Sequence, residues 1–400
     1  MSRMAFARPA VALALLALPA ALRADDAPGF FPLPGTSTQL QIYGYVALDA
    51  AYDNKQGLGD FGTIVNAIQS GRAGSTVDGF APENQWTMTA NRSRFGFASS
   101  TPSDFGDITA KVEGDFLTGT LRLRHAYGTI GPMLIGRTWS TFMDLDALPE
   151  TVDFTGAIGW SNFDTPRMAQ VRYTLALDGH NSAALAIEKD QTGSTNSQFP
   201  GGVVGVYTYK GDWGHAAARV LMQRYGTFTP GTPAVGATPA SPEVKFTSTA
   251  FAWQLSGHFQ FGKDALQWSF LTGKGLGAYG AGFQAIGATD PSGERYDFWK
   301  SNGYSLGYAH VWTGKVRSNL VLSQLDYKRD DFTVDTDIHR VQNGFLNTFI
   351  TFAKNAELGI EYAYGNATAF AGGAYQRMDG SRTDSIKESR LQMAMQFNFF

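Results

Sequence analysis

Hydrophobic and polar residues alternate along most of this chain. In TQLQIYGYVALDAAYD, Thr38 to Asp53, one face carries Leu40, Ile42, Val46, Leu48 and Ala50, and the other carries Gln39, Gln41, Tyr43, Tyr45 and Asp49. A period of two marks a strand with unlike surroundings on its two sides. The C-terminal ESRLQMAMQFNFF repeats it, with Leu391, Met393, Met395, Phe397 and Phe399 opposite Arg390, Gln392, Ala394, Gln396 and Asn398. Between them, fourteen more alternating segments centre near residues 92, 111, 125, 136, 172, 186, 206, 220, 252, 269, 307, 321, 345 and 361.

Their connections take two forms in turn. TPSDFGD, GPM, DGHN, GDWG, FGKD, TGK and AKNA are short and rich in turn residues. The stretches 53–84, 141–166, 226–245, 274–299, 328–337 and 366–383 are longer and rich in Gly, Ser, Thr, Pro and Asp, with shorter members near 118–120 and 190–201. Short and long ends alternating over an even strand count predict an all-β, up-and-down antiparallel transmembrane barrel of about sixteen strands over 38–400. At about 23 residues per strand plus connection, each strand reaches the roughly 9–11 residues that a tilted membrane crossing needs.

A soluble β-sandwich would also alternate. Two features favour the barrel. The apolar faces end in aromatics, as in YGY, YTYKGDW and FNFF, which suits interfacial girdles. The opposite faces carry full charges in mid-strand, among them Lys111, Glu113, Asp115, Arg122, Arg124, Arg172 and Glu188. A dry core between two sheets could not hold these, although a solvent face could.

Composition sharpens this picture. Arg3 and Arg8 precede the apolar run Ala10 to Ala21, and ALRA ends at Ala24, so residues 1–24 read as a cleaved signal peptide and 25–37 as a short lead. Without the leader's three arginines, 29 basic side chains face 35 acidic ones, a net charge of −6 with no basic tract to suggest nucleic acid as a partner. There is no cysteine, hence no disulfide framework and no thiolate metal site. The 46 glycines and 13 % aromatics suit an exported all-β chain, and the lack of a later run near twenty apolar residues excludes a helical membrane protein.

The segments PGTSTQLQIYGYVALDAAYD, SRFGFASSTPSDFGDITAKVEGDF and LRLRHAYGTIGPMLIGRTWSTFMDLDALPETVDF resemble the DcaP-like porins. The likeness is dense over residues 34–175 and looser to the C-terminus. Short motifs such as SRFGF and RHAYG recur in general porins, so the order and spacing carry the resemblance. It implies a homotrimeric outer-membrane channel associated with dicarboxylates and related anions. A helical coiled-coil extension found in the family is not expected, since about thirteen residues separate the expected cut from the first strand. The terminal residue is Phe400, while the outward alternation runs through Phe397 and Phe399.

Thr138 to Trp160, TWSTFMDLDALPETVDFTGAIGW, breaks the alternation. Strand counting makes it the third long loop, and the resemblance implies that it folds inward and narrows the lumen. Phe142, Met143, Leu145, Leu148 and Phe154 would dock it on the wall, and Asp144, Asp146, Glu150 and Asp153 would face water. Pro149 and Gly156 interrupt any long helix.

Opposite the loop, register predicts a basic wall. With Phe95 and Phe97 outward, Arg92 and Arg94 face in; with Leu121 and Leu123 outward, Arg122 and Arg124 face in; with Val171 and Tyr173 outward, Arg172 faces in. An arginine on the lipid face near the midplane would cost about 2–4 kcal/mol, which favours the inward reading. Lys111 joins this wall. Arg137 is placed there too, although both faces of MLIGRTWS are apolar; Trp86 and Met88 share the arginines' parity, which marks either a bulge or a wide mouth. Guanidinium forks take carboxylates bidentately and stay charged, so the wall would favour small organic anions. Alternatively, the arginines pair with the loop's acids to hold it in place.

Rival functions are weaker. The six histidines are scattered singly, no HExxH or GxSxG motif occurs, and by parity His125 shares the outward face of Leu121. No catalytic residue, cofactor or metal is expected. A general non-selective porin, a plugged structural barrel and an outer-membrane hydrolase remain as alternatives. Small residues on early strands, Gly44, Ala50 and Gly96, would allow close packing of neighbouring barrels.

Overall fold

The computed structural model describes residues 29–54, 64, 84–117, 119–154, 156, 167–189, 201–229, 231, 233, 243–280, 287–289, 296–373, 375–376 and 381–399. The expected signal peptide, Trp160 and Phe400 lie outside them. The sixteen barrel strands begin with Gln39–Asp53 (β1), Gln85–Thr89 continued by Arg94–Thr101 (β2), Ile108–Asp115 (β3) and Arg122–Ile130 (β4). Met133–Trp139 (β5), Arg167–Ala176 (β6), Asn181–Glu188 (β7) and Gly202–Gly211 (β8) follow. Then come Gly214–Thr229 (β9), Val244–Phe261 (β10), Asp264–Lys274 (β11) and Lys300–Val311 (β12). Val316–Tyr327 (β13), Ile338–Ala353 (β14), Ala356–Ala369 (β15) and Ser385–Asn398 (β16) complete the ring.

Each strand pairs antiparallel with the next, and β16 closes on β1 from Tyr45 opposite Asn398 to Asp53 opposite Arg390. All backbone polar groups of a closed sheet are satisfied within it, the condition for crossing lipid without an edge. Below Asn398, the partner of β1 is the lead itself: Phe30–Pro32 pairs with Gln39 to Gln41. Short turns occupy one end of the barrel and long connections the other, as the alternating spacing predicts.

Facing follows parity wherever the ladder is unbroken. Val46, Leu48, Leu121, Leu123, Val171 and Tyr173 are exposed on the outer wall, and Asp53, Asp115 and Glu188 are buried within. On the side of the barrel from β1 to β6, two bulges break the rule, and β14 carries two further register shifts against β15. Between Thr89, opposite Asp49, and Arg94, opposite Tyr45, β2 has four residues where β1 has three. The Ala47 amide donates to Ser93 Oγ at 3.0 Å across the gap. The extra residue flips parity, so Trp86 and Met88 before it and Phe97 after it all face outward. In β4, His125 pairs with Glu113 but Leu123 with Gly114, leaving Arg124 as the extra residue. Arg124 and His125 therefore both face in, which corrects the outward placement of His125.

The interior is not uniformly polar. Inward residues such as Leu221, Leu271, Val321 and Phe345 form a buried apolar cluster with Phe142 and Tyr279 from the connections. The half of the wall from β7 to β15 thus has a core of its own inside the ring, on which the third long loop lies.

Candidate functional site

The loop after Trp139 folds inward and is fastened at successive points to the β7–β15 wall. At its root, Glu188 accepts from Ser140 Oγ (2.7 Å), the Thr141 amide (2.6 Å) and Tyr279 Oη (3.1 Å). Phe142 is buried edge-on against Tyr279, their ring centres 5.5 Å apart. A single 3₁₀ turn, Leu145–Ala147, follows, and Pro149 ends it. Two glycines make room: a Cβ at Gly307 in β12 would lie 2.6 Å from Pro149, and one at Gly359 in β15 would lie 2.8 Å from Val152.

The loop's acids do not face the basic wall. Asp144 accepts from His215 Nε2 (2.8 Å), Arg219 Nη1 (3.0 Å) and Ser256 Oγ (2.7 Å), all on β9 and β10. Burial alone would raise its carboxyl, but the Arg219 charge and the His215 and Ser256 hydrogen bonds outweigh that and hold it well below the usual carboxylate range. His215 in turn faces His258, Nδ1 to Nδ1 at 2.8 Å. Asp146 meets Lys210 at 2.6 Å, and Glu150 meets both ends of the Arg317 fork, whose other side holds Glu357 at 2.6 Å. Asp153 accepts from the Ile64 amide at 2.9 Å. The carboxylate of Glu361 on β15 accepts the amides of Val152 and Asp153, each at 2.8 Å. The docking residues Lys210, His215, Arg219, Arg317 and Glu361 were not among the sequence candidates. Their signal was present, since each is a polar group on the inward parity of its strand.

Across the lumen, β1 to β6 carry the basic groups. Arg92 pairs with Asp49 at 3.0 Å, and Arg122 with Asp115 at 2.9 Å. Arg124 bridges Glu113 (2.9 Å) and Asp115 (2.6 Å), while Arg94 and Lys111 approach Glu113 at 3.4 and 3.6 Å. Three of these cations lie over aromatic rings: Arg94 over Tyr45 at 5.2 Å, Lys111 over Tyr43 at 4.8 Å and Arg124 over Phe154 at 5.4 Å. Arg172 faces in beside Leu134, and its Nε is buried without a partner. So Arg92, Arg94, Arg122 and Arg124 pair with wall carboxylates one strand away, and the loop is held by other cations. Phe154, expected to dock the loop, instead reaches towards this wall.

Three placements are corrected. Arg137 pairs with Ala126 and Ala169 in the outward register of Ile135, which is 56 % exposed, so it leaves the basic wall. Gly96 faces inward beneath the Tyr43 ring and cannot serve packing between barrels. His125 is inside, its Nδ1 3.0 Å from Thr138 Oγ1.

A family model described as DcaP outer membrane protein matches residues 26–239. Porin Omp2a of Brucella suis is 27 % identical over 206 residues, covering 48 % of this chain and 54 % of that one. The chain thus spans about half the length of the Brucella porins it matches. Among solved structures, the outer membrane channel DcaP of Acinetobacter baumannii superposes with a TM-score of 0.73 at 24 % identity, over 92 % of this chain and 99 % of that one. The anion-selective porin from Comamonas acidovorans follows at 0.60 and 15 %, over 90 % and 100 %. At these identities the superpositions establish the barrel fold.

Proposed function

This chain belongs to the DcaP outer membrane protein family, and from that premise we propose that it is an outer-membrane porin of a Gram-negative bacterium. It is exported through a cleaved signal peptide and works as a channel rather than an enzyme. Small hydrophilic solutes diffuse through it passively, with small organic anions such as dicarboxylates or aromatic carboxylates favoured. One observation carries the preference. Arg92, Arg94, Lys111, Arg122, Arg124 and Arg172 face the lumen from β2 to β6 against Asp49, Glu113 and Asp115. Meanwhile Asp144 and Asp153 of the opposing loop are buried, and Asp146 and Glu150, though partly exposed, are paired with Lys210 and Arg317, so the loop's negative charge is largely neutralised. A positive wall facing a largely neutralised loop focuses a potential that concentrates anions.

Reversal potentials across a potassium chloride gradient in planar bilayers test this. The wild type should prefer chloride, and the double variant Arg122→Ser with Arg124→Ser should lose much of that preference. An unchanged preference in the double variant would remove those two positions from selectivity. A second reading, a general non-selective porin, is favoured by the ion pairs themselves, which tie most of the wall's guanidinium groups to wall carboxylates. No preference in the wild type would establish it.

The assembly we propose is a homotrimer in outer-membrane lipid, following the family resemblance. Arg137 lends support, because a guanidinium in the outward register costs about 2–4 kcal/mol at the midplane of a bilayer and less against a neighbouring protein wall. Mass analysis of detergent-extracted, unheated protein tests the stoichiometry.

A further inference from the structure

The outer face of the wall changes character at its long-loop end. On β12 and β13 the exposed Leu306, Tyr304, Leu320 and Leu322 belong to the apolar band, and the Tyr304 ring meets that of Phe270 on β11 at 5.3 Å. Aromatic residues at such a margin mark the boundary between hydrocarbon and headgroups. Beyond them, on the same parity, the register sets out two further rows. Thr272, Asn302, Asp326 and Arg340 stand side by side on β11 to β14, and Lys274, Lys300 and Lys328 stand above them. Lys300 is four residues beyond Tyr304, about 13 Å along the strand and less in height once the tilt is allowed for.

These charges are crowded and uncompensated. Lys274 and Lys300 are direct cross-strand partners, and the Lys328 amide donates to the Lys300 carbonyl at 2.8 Å, which brings the third lysine alongside. All three are exposed, and among the described residues none of them forms an ion pair. The acid in these rows, Asp326, is 8 % exposed and already bound by Arg340 and Gln324. Like charges directly opposite each other on a sheet destabilise it, and an anion held between them relieves the repulsion. By contrast, the outer ends of β1 and β2 present an uncharged pair, Tyr52 and Asn84, joined by a hydrogen bond of 2.8 Å.

We propose that Lys274, Lys300, Lys328 and Arg340 form a docking surface for an outer-leaflet lipid whose headgroup carries phosphate monoesters. Its acyl chains lie along the aromatic and leucine band directly below, which is what favours a lipid over a free phosphate. Ammonium groups take phosphate as point charges, and their flexible stems let several converge on one headgroup. In the proposed trimer this face stays turned to lipid, since β13 is eight strands from β5, the strand of Arg137, in a ring of sixteen. The inference goes beyond the channel reading and does not depend on the sign of its selectivity.

Quenching by labelled lipids tests it. The chain has no cysteine, so Leu322→Cys, on the outer wall, carries a fluorophore at one position. The labelled barrel is placed in phosphatidylcholine vesicles that contain nitroxide-bearing phosphatidic acid, or nitroxide-bearing phosphatidylcholine at the same mole fraction. Each lysine at a membrane surface changes the binding of an anionic lipid about fivefold. Phosphatidic acid should therefore be favoured about tenfold, and Lys274→Gln with Lys300→Gln should bring the two lipids to parity. If that variant yields no heat-modifiable barrel, Lys300→Gln alone is read, with about a fivefold fall expected. Lys315→Gln with Lys354→Gln removes the same charge from the short-turn end and should leave the ratio unchanged. Equal quenching by both lipids before substitution, an unchanged ratio in the Lys300 variants, or an equal fall in the Lys315 and Lys354 variant would each overturn the surface. A preference abolished by excess inorganic phosphate at constant ionic strength would make free phosphate the occupant and overturn the lipid assignment.

Discussion

Arg390 and Asp53 meet at 2.7 Å across the seam where β16 closes on β1, with 1 % and 0 % of their side chains exposed. The pair ties the two ends of the barrel together from inside. Removing one partner of a buried ion pair costs about 3–5 kcal/mol. Asp53→Asn should therefore lower the denaturant midpoint of the barrel markedly. Asp53→Asn with Arg390→Gln should recover part of that loss, because the mismatch between the two positions is removed. Equal stability of the single variant and the wild type, read by gel mobility of unheated samples in urea, would show that the pair contributes nothing.

The hold of Arg317 on Glu150 and Glu357 gives a second expectation. The same fork serves the wall and the loop, with N–O distances of 2.6 Å to each. Arg317→Met should free the middle of the loop while leaving the ring intact. Single-channel recordings should show greater current noise, and a cysteine introduced at Met143 should label faster. The parent chain has no cysteine, so labelling reports that position alone.

Acid should act on the loop root only late. The ordinary Asp144 value is 3.8, and in the folded protein it is depressed. A carboxylate depressed on folding contributes stability that is present above its unfolded value and lost as pH falls through the lower, folded one. The loop should therefore keep its neutral-pH labelling rate at Met143 down to about pH 4. Asp144→Asn should label fast across the whole range. A rise in wild-type labelling well above pH 4 would contradict the sign.

Gly307→Val should displace the loop without opening the barrel. The added Cβ would meet Pro149 at 2.6 Å, and overpacking of this kind costs about 1–3 kcal/mol. Faster labelling at Met143 with unchanged urea resistance of the ring is the expected pair of results. Loss of both would mean that loop and ring unfold together.

Arg137→Gln should leave the chloride preference unchanged, because the residue sits in the outward register of Ile135. A shift as large as that of the Arg122 and Arg124 double variant would return Arg137 to the lumen.

Much of the architecture was legible from alternation alone: all sixteen segments fall on observed strands, and the third loop folds inward. What parity could not supply is where it changes. The conflicting parity of Trp86 and Met88 against the arginines left a bulge or a wide mouth open, and the four-against-three stretch at Ala90 to Ser93 is the bulge; nothing in LRLRHAYG announces the extra Arg124 that reverses facing in β4. The partners of the loop acids were hidden by distance along the chain, since Glu150 finds Arg317 167 positions later. Alternation describes which face a residue takes but not what stands opposite, and the docked loop depends on what stands opposite.

The amides of Val152 and Asp153 find their acceptor in Glu361, more than two hundred positions further on. Without the fifteenth strand the Val152 and Asp153 amides lose that carboxylate, and without the sixteenth Asp53 loses Arg390. The inward segment and the seam thus share a dependence on the two C-terminal strands, and a chain cut short before them would lack both contacts.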